Sequence, residues 1–208
     1  MKKFLLAVAA FGMLMTACSK DEVAQPVGGE ESVVTFTVEA PVMQTRAHGD
    51  GYSATELNWA VYDRKAAKGS EPLFTDSKNF DQNKLTTTVE IPFVNGMEYD
   101  ILFWAEAPDT ADTESPYAVD WAAKTVGYDP AVTLVSNSED YDAFYYFLTG
   151  DELPEITGPV TKTVVLKRPF AQLNAAVSAA DMTAVSNNEV TLTTSTVTVD
   201  TYTGFDIS

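Results

Sequence analysis

Apolar and polar residues alternate along much of this chain, which is the pattern of β-strands rather than of helices. In residues 57–62 (LNWAVY), the side chains of Leu57, Trp59 and Val61 fall on one face of an extended strand. Residues 85–93 (LTTTVEIPF) alternate in the same way. Both segments are rich in the β-branched and aromatic residues that strands favour, so each is predicted to form a strand with one face in a core.

The next segment along the chain has a different pattern. Residues 99–104 (YDILFW) are almost continuously apolar, which predicts a strand covered on both faces. The dipeptide Asn95-Gly96 precedes it, and because both residues tolerate positive φ it predicts a tight hairpin with the strand before. Pro92 cannot donate a ladder hydrogen bond, so it predicts that this earlier strand lies at a sheet edge.

The remaining apolar runs complete an all-β prediction. Residues 33–38 (VVTFTV) are the first strand, and later strands are predicted over residues 131–135, 141–148, 160–166, 171–177 and 189–206. Helical turns are expected only near residues 118–124 and 179–184. Many short strands separated by Gly, Pro, Asn and Asp indicate a β-sandwich. Its predicted core includes Trp59, Val61, Ile101, Phe103 and Val165.

The N-terminus has the layout of a lipoprotein signal peptide. Lys2 and Lys3 precede an apolar run over residues 4–15, which is shorter than the roughly 20 residues that span a bilayer. Small residues then lead into Cys18, the only cysteine in the chain. We interpret Cys18 as the lipidation site and first mature residue; the alternative is a buried free cysteine in an N-terminal helix. Without a second cysteine, no intramolecular disulfide can form.

Composition limits the function and suggests a domain layout. Thirty acidic residues oppose 13 basic ones, for a net charge of −17, which disfavours phosphate contacts and therefore nucleic-acid binding. The predicted layout is a signal peptide over residues 1–17, an acidic flexible tether over 18–31, a β-sandwich over 32–168 and the beginning of a second, truncated β-domain over 169–208. Residues 19–22 (SKDE) resemble the short acidic tag that follows the cysteine in many surface lipoproteins, and this resemblance implies the outer face of the outer membrane, with a periplasmic face as the alternative.

The sequence offers little for catalysis. The single histidine, His48, lies in a Gly/Asp-rich loop and is expected at the surface, and no nucleophile elbow or nucleotide-binding glycine motif occurs. We therefore expect no enzyme activity, no cofactor and no metal. Two acidic clusters are interpreted as solvated loops, with calcium binding as the alternative: Asp109, Asp112, Glu114 and Asp120, then Glu139, Asp140 and Asp142.

Aromatic side chains give a second alternative. Tyr117, Trp121 and Tyr128 fall in a predicted loop region. They are interpreted as loop anchors packed on the core, but exposed aromatic rings can also stack on sugars. A glycan-binding function therefore stays open.

Five segments in order resemble one family. They are Thr45-Arg46-Ala47, LNWAVYD at residues 57–63, YDILFWA at 99–105, DAFYYF at 142–147 and VVLKRPFAQLN at 164–174. The order resembles the fimbrillin-type surface lipoproteins of Bacteroidetes, which are subunits or accessory proteins of fimbriae. The resemblance implies a transthyretin-like, Greek-key N-terminal sandwich followed by a second β-domain, and it covers roughly residues 18–174.

The resemblance also implies an assembly mechanism. A sandwich that loses a strand exposes unpaired backbone groups, to which an extended segment of a neighbour can add. Arg46 is the implied site of trypsin-like processing, with an ordinary exposed arginine as the alternative. The candidate removable strand consists of Val33, Val34, Thr35, Phe36, Thr37 and Val38.

These expectations define one function and one alternative. The first is a structural or adhesive, lipid-anchored component of a cell-surface fimbrium, assembled by strand complementation. The alternative is an outer-membrane lipoprotein that binds glycans without polymerising. The expected partners are other fimbrial subunits, outer-membrane lipid through acylated Cys18, and a host or glycan ligand.

Overall fold

The fold is built almost entirely of β-strands, as the alternation predicts. The computed structural model describes residues 29–41, 52–81, 84–107, 115–129, 131–132, 141–153, 155–169, 183 and 204–208. The strands in these ranges are β1 (Glu31–Glu39), β2 (Glu56–Asp63), β3 (Phe74–Asn79), β4 (Thr86–Val94), β5 (Tyr99–Glu106), β6 (Tyr117–Asp120), β7 (Thr125–Tyr128), β8 (Ala143–Leu148), β9 (Val160–Val165) and β10 (Gly204–Asp206). A short 3-10 turn, Gly150–Glu152, follows β8.

Two sheets form a sandwich around the main core. The front sheet has the order β4-β1-β9, and the middle sheet has the order β3-β2-β5-β8. Inward side chains of both sheets form one apolar cluster, in which the Phe36 ring of β1 lies 5.6 Å from the Phe103 ring of β5. The all-β sandwich predicted from the sequence is confirmed.

A third sheet covers the opposite face of the middle sheet. This small sheet has the order β10-β7-β6, and a second apolar cluster joins Val126 and Ile207 to Leu102 and Trp104 of β5. The Tyr117 ring of β6 lies edge-on to the Trp104 ring, with centroids 5.4 Å apart. Strand β5 is therefore buried on both faces, as its continuous apolar run predicts.

The link between β4 and β5 corrects the hairpin prediction. Strand β4 pairs with β1 in the front sheet, whereas β5 pairs with β2 and β8 in the middle sheet. The Asn95-Gly96 turn therefore crosses from one sheet to the other. Only Gly96 has positive φ, at 78°, and the N–H groups of both turn residues donate to other segments, namely to the carbonyls of Glu30 and Ile156. The predicted edge position of Pro92 on β4 is confirmed.

The predicted core is correct at four positions and wrong at the fifth. Trp59 is 5% exposed, and Val61, Ile101 and Phe103 are fully buried. Val165 is 51% exposed, because Val164 before it and Leu166, which follows the end of β9, both face inward and alternate residues face opposite ways.

Three strands were not predicted. Strand β3 is polar and exposed along most of its length, so its sequence, FTDSKN, carries no apolar alternation. Strands β6 and β7 replace the helical turn expected near residues 118–124; four residues between them form the turn. Residues 133–135, 171–177 and most of 189–206 lie outside the described residues.

The two ends of the chain are described only in part. Cys18, the tether before residue 29 and Arg46 lie outside the described residues, and so does most of the segment 169–208. Strand β10 pairs with β7, so the last residues pack on the small sheet. The domain boundary near residue 168 stays a prediction. Among the described residues, no helix is both long and apolar enough to cross a membrane.

Candidate strand-exchange site

Strand β1 is the inner strand of the front sheet and contains the whole candidate removable segment. It pairs antiparallel with β4, with Phe36 opposite Val89, and parallel with β9, with Phe36 opposite Lys162. Within the described part of the chain, β4 and β9 are joined to each other only through β1. The segment predicted over residues 33–38 extends to Glu31–Glu39 in the structure.

The backbone of β1 divides its hydrogen bonds between its two neighbours. The Ala40 N–H donates to the Leu85 carbonyl at 2.9 Å, and the Leu166 N–H donates to the Glu39 carbonyl at 2.8 Å. By the regular ladder patterns, even-numbered residues of β1 therefore bond to β4 and odd-numbered ones to β9. β1 thus satisfies the hydrogen-bonding groups on the facing edges of both β4 and β9.

The side chains of β1 divide between core and surface. Val34, Phe36 and Val38 are fully buried. The Phe36 ring contacts Phe93 of β4 and Phe103 of β5, with centroids 6.4 and 5.6 Å away. Val33 on the outer face is 43% exposed. β1 therefore contributes one apolar row, which fills the space between β4, β9 and the middle sheet.

Removal of β1 would leave a groove of defined shape. With adjacent strands about 4.8 Å apart, β4 and β9 would face each other across about 10 Å, the width that one added strand fills. We call this gap the β1 groove. Its two walls would be unpaired backbone groups, and its floor would be the apolar side chains that now contact Phe36. An extended segment with alternating apolar residues is the ligand that such a groove selects.

Residues 166–168 (LKR) connect β9 to the middle sheet. Lys167 and Tyr145 exchange two backbone hydrogen bonds, each 2.8 Å long. The next residue, Arg168, donates to the Asp142 carboxylate at 2.7 Å, and its guanidinium lies 4.7 Å from the Phe144 ring centroid. This clasp, formed by residues 166–168 against residues 142–145, attaches β9 to β8 independently of β1.

Asp142 corrects one part of the acidic-loop interpretation. The sequence indicated a solvated carboxylate, but Asp142 is only 5% exposed and also accepts a 3.4 Å hydrogen bond from Ser53. No described group of three His, Cys, Asp or Glu side chains is arranged to hold a metal ion. Asp109, Asp112, Glu114, Glu139, Asp140 and His48 lie outside the described residues.

The aromatic residues of the glycan alternative do not form one platform. Tyr117 packs on Trp104, its hydroxyl donates to the Tyr141 carbonyl, and burial raises its pKa well above the ordinary value. Trp121 is half-buried, and its carbonyl accepts a 2.7 Å hydrogen bond from the Tyr62 hydroxyl. Tyr128 is 39% exposed. Tyr117 is thus an anchor, as interpreted, although in a strand rather than in a loop.

Two open clefts adjoin Arg64 at one end of the middle sheet. One, of about 590 Å³, is lined by the loops that precede β5 and follow β8, and the other, of about 340 Å³, lies beside Tyr62, Lys124 and Phe147. The Lys124 ammonium sits 4.3 Å from the Tyr62 ring centroid. The Arg64 guanidinium bonds to Asp151 at 2.7 Å and holds the pKa of that carboxyl below its usual range. No sequence pattern indicates these clefts, since loops far apart in the chain form them.

Two solved structures resemble this one partially. One is from Bacteroides thetaiotaomicron and is named for a suggested polysaccharide-binding role (DUF1812); at 13% identity it covers 66% of this chain and 47% of its own, with a TM-score of 0.40. The other is a fimbrial assembly protein from Parabacteroides distasonis, at 12% identity, 67% and 53% coverage and a TM-score of 0.31. This chain therefore spans about half the length of each.

Comparison of the sequence with known families identifies the family of this chain. No curated protein sequence matches the chain significantly. One family model matches residues 25–207, which is most of the chain and includes the whole sandwich. The chain therefore belongs to DUF6562, a family of unknown function.

Proposed function

We propose that this chain is a lipid-anchored, non-enzymatic component of a cell-surface fimbrium, in which β1 is the strand exchanged between subunits. The observation that carries the proposal is the position of β1. It is the first strand of the sandwich, it lies between two strands that it alone joins in the described structure, and it buries a single face. Arg46 follows β1 closely in the sequence, so a cut there separates β1 from the rest of the chain.

A filled groove explains why processing would be needed. The buried side chains of Val34, Phe36 and Val38 each contribute about 1.5–3 kcal/mol through burial. Spontaneous departure of β1 would forfeit all three, so the uncut chain holds its own strand. After a cut, β1 is a separate peptide that dilutes away, and the groove becomes available to another subunit.

The chain itself carries a second segment of suitable pattern. Residues 195–200 (STVTVD) repeat the order of residues 34–39 (VTFTVE), with Val197 and Val199 at the positions of Phe36 and Val38. Both segments end on an acid and place threonine between the apolar residues. Residues 195–200 lie outside the described residues, so the match is one of sequence. It supports a segment of this kind as the donor strand of a neighbouring copy.

The leader supports the location. Acylation of Cys18 would attach the chain to the outer membrane, and two or three acyl chains give stable anchoring. The acids that follow Cys18 would form a solvated tether and favour the outer surface. Replacing Cys18 with Ala should abolish incorporation of a fatty-acid label, and equal labelling of both proteins would exclude this anchor.

Limited trypsin digestion tests the assembly. The wild-type chain and an Arg46→Gln control are digested, purified by size-exclusion chromatography and run on gels in mild denaturant. We expect the wild type to lose its first strand and form ladders, whereas Arg46→Gln forms none. A wild type that is cut at Arg46 yet remains a stable monomer would contradict polymerisation. Resistance of Arg46 to trypsin would contradict processing there.

Glycan binding is the second candidate, favoured by the clefts beside Arg64. The smaller cleft combines the half-buried Phe147 ring with Lys124 and the Asp63 and Asp100 carboxylates, a mixture of apolar and polar groups of the kind that sugars require. Binding of soluble polysaccharides by the uncut chain, lost in Phe147→Ala but kept in Tyr128→Ala, would favour this function. Equal binding by both variants would exclude the cleft.

A further inference from the structure

The two outer edges of the front sheet differ in how many of their outward backbone groups are bonded or blocked. The outer edge of β4 is closed at four positions. The Thr86 carbonyl accepts from the Asp81 N–H at 3.0 Å, and the Thr88 carbonyl accepts from the Lys78 ammonium at 2.7 Å. Pro92 has no N–H, and the Val94 N–H donates to the Tyr99 hydroxyl at 3.0 Å. Lysine, proline and side-chain caps are the means by which proteins prevent unwanted strand addition.

Among the residues that the structure describes, none caps the outer edge of β9 in this way. Because Leu166 bonds to Glu39, the parallel ladder turns the backbone groups of Thr161, Thr163 and Val165 away from β1. All three residues are exposed, and in the described ranges β9 pairs with β1 alone. The edge is closed again at Lys167, which bonds to Tyr145. Within the described part of the chain, a six-residue strand rich in valine and threonine thus has an outer edge with no partner strand.

We infer that this edge pairs with the same edge of a second copy, as an antiparallel ladder centred on Thr163. Antiparallel pairing of two identical strands must place outward backbone groups opposite outward backbone groups. With Thr163 opposite Thr163, Thr161 lies opposite Val165 of the second copy, and every outward group is matched. The central threonine pair is of a kind that stabilises such a ladder, and threonine and valine both favour strands. The inference is independent of β1 exchange and needs no cleavage.

Charge selects this register over its neighbour. A shift that places Lys162 opposite Lys162 would oppose two like charges, which destabilises a ladder. In the register centred on Thr163, Lys162 lies opposite Val164 of the second copy. The Lys162 ammonium is already directed to the Glu152 carbonyl of its own chain, 2.5 Å away. The row of outward residues itself contains no charge.

The symmetry of the pairing limits its product. An isologous interface uses the same surface on both partners and closes as a dimer. It would join two front sheets into one six-stranded sheet and leave the β1 groove untouched. The chain's net charge of −17 opposes association, so the dimer should strengthen as added salt screens the repulsion.

Single cysteines test the register in the full, uncut chain carrying Cys18→Ala, where an added cysteine is the only thiol. Hydrogen-bonded partners in an antiparallel ladder have Cα atoms about 5.5 Å apart, which suits a disulfide. Thr163→Cys should therefore give a disulfide-linked dimer on mild oxidation. Thr161→Cys is the matched control, since its two copies would lie about 13 Å apart. Equal cross-linking of both variants, or none in either, would overturn the inference.

Analytical ultracentrifugation tests association without a cross-link. The wild type should sediment as a dimer in moderate salt, and Thr163→Pro should abolish the dimer while keeping the melting temperature, because the lost N–H points away from β1. Thr163→Lys is the second variant, since it leaves the backbone intact and places two lysines in opposition. A wild type that remains monomeric, or a Thr163→Lys chain that still dimerises, would overturn the inference.

Discussion

Strands β1 and β5 are both inner strands, yet they are integrated into the molecule differently. β5 pairs with β2 and β8 and buries both faces, with Phe103 toward the front sheet and Trp104 toward the small sheet. β1 also pairs on both edges, but it buries only the row that contains Phe36. Its other face is half-exposed or exposed.

The difference defines what the proposed exchange of β1 requires of a strand. Loss of β5 would open both apolar cores and separate the three sheets. The chain also continues into other strands on both sides of β5, so a single cut would not release it. Loss of β1 would open one side of one core, and the clasp at Arg168 would still attach β9 to the middle sheet. Pairing on two edges gives a returning strand its register, while burial of one face limits the cost of its departure. β1 meets both conditions and β5 does not.

The largest expected effect lies in β5. Trp104 is fully buried between the middle and small sheets, so Trp104→Ala should lower the free energy of unfolding by about 3–5 kcal/mol. Trp104→Phe, which keeps an aromatic ring in place, should cost markedly less. Urea denaturation followed by circular dichroism measures both. A loss below about 1 kcal/mol for Trp104→Ala would mean that the small sheet does not cover β5 in solution.

The second-largest loss of stability is expected from disrupting the clasp between residues 166–168 and 142–145. Asp142→Ala removes the buried carboxylate that accepts from Arg168, and charge-assisted hydrogen bonds of this kind contribute about 1.5–3 kcal/mol. Glu155→Ala, at an exposed acid, is the matched control and should be close to neutral. The same denaturation experiment applies. If the two variants are equally stable, the clasp does not hold β9 to the middle sheet.

The smallest expected effect separates the two faces of β1. Val38 is fully buried and its neighbour Thr37 is half-exposed. Val38→Ala should cost about 2 kcal/mol, whereas Thr37→Ala should cost less than about 1 kcal/mol. Thermal unfolding of the uncut chain compares them directly. A larger loss for Thr37→Ala would reverse the assigned faces of the strand.

Much of the sandwich could be predicted because the pattern of apolar residues in each strand reflects which of its faces are buried. The alternation around Trp59 identifies a strand with one face in the main core, and the unbroken run around Trp104 identifies a strand covered twice. Strand β3 escaped prediction because an exposed edge strand needs no apolar residue. The core prediction for β9 named Val165 instead of its neighbour Val164, and a shift of one residue along a strand moves the side chain to the opposite face.

The features that could not be predicted depend mainly on pairing between residues far apart in the chain. The Asn95-Gly96 dipeptide predicts a turn, but which sheet the next strand joins depends on partners far along the chain. The parallel pairing of β1 with β9 joins residues more than 120 positions apart, and no local pattern encodes it. Arg46 was identified only through the family resemblance, and the clefts beside Arg64 had no sequence signal. The inner position of β1, on which the proposed function depends, came from the structure.

Peptide binding tests the exchange of β1 most directly. The chain cut at Arg46 is mixed with a fluorescent peptide of residues 31–39, and binding is followed by anisotropy beside two controls, the same peptide with Phe36→Asp and a peptide of residues 99–106 from β5. We predict saturable binding of the first peptide, no binding of either control, and no binding of any peptide to the uncut chain. A cut chain that stays folded and binds none of the peptides, or that binds the Phe36→Asp peptide equally well, would contradict the account.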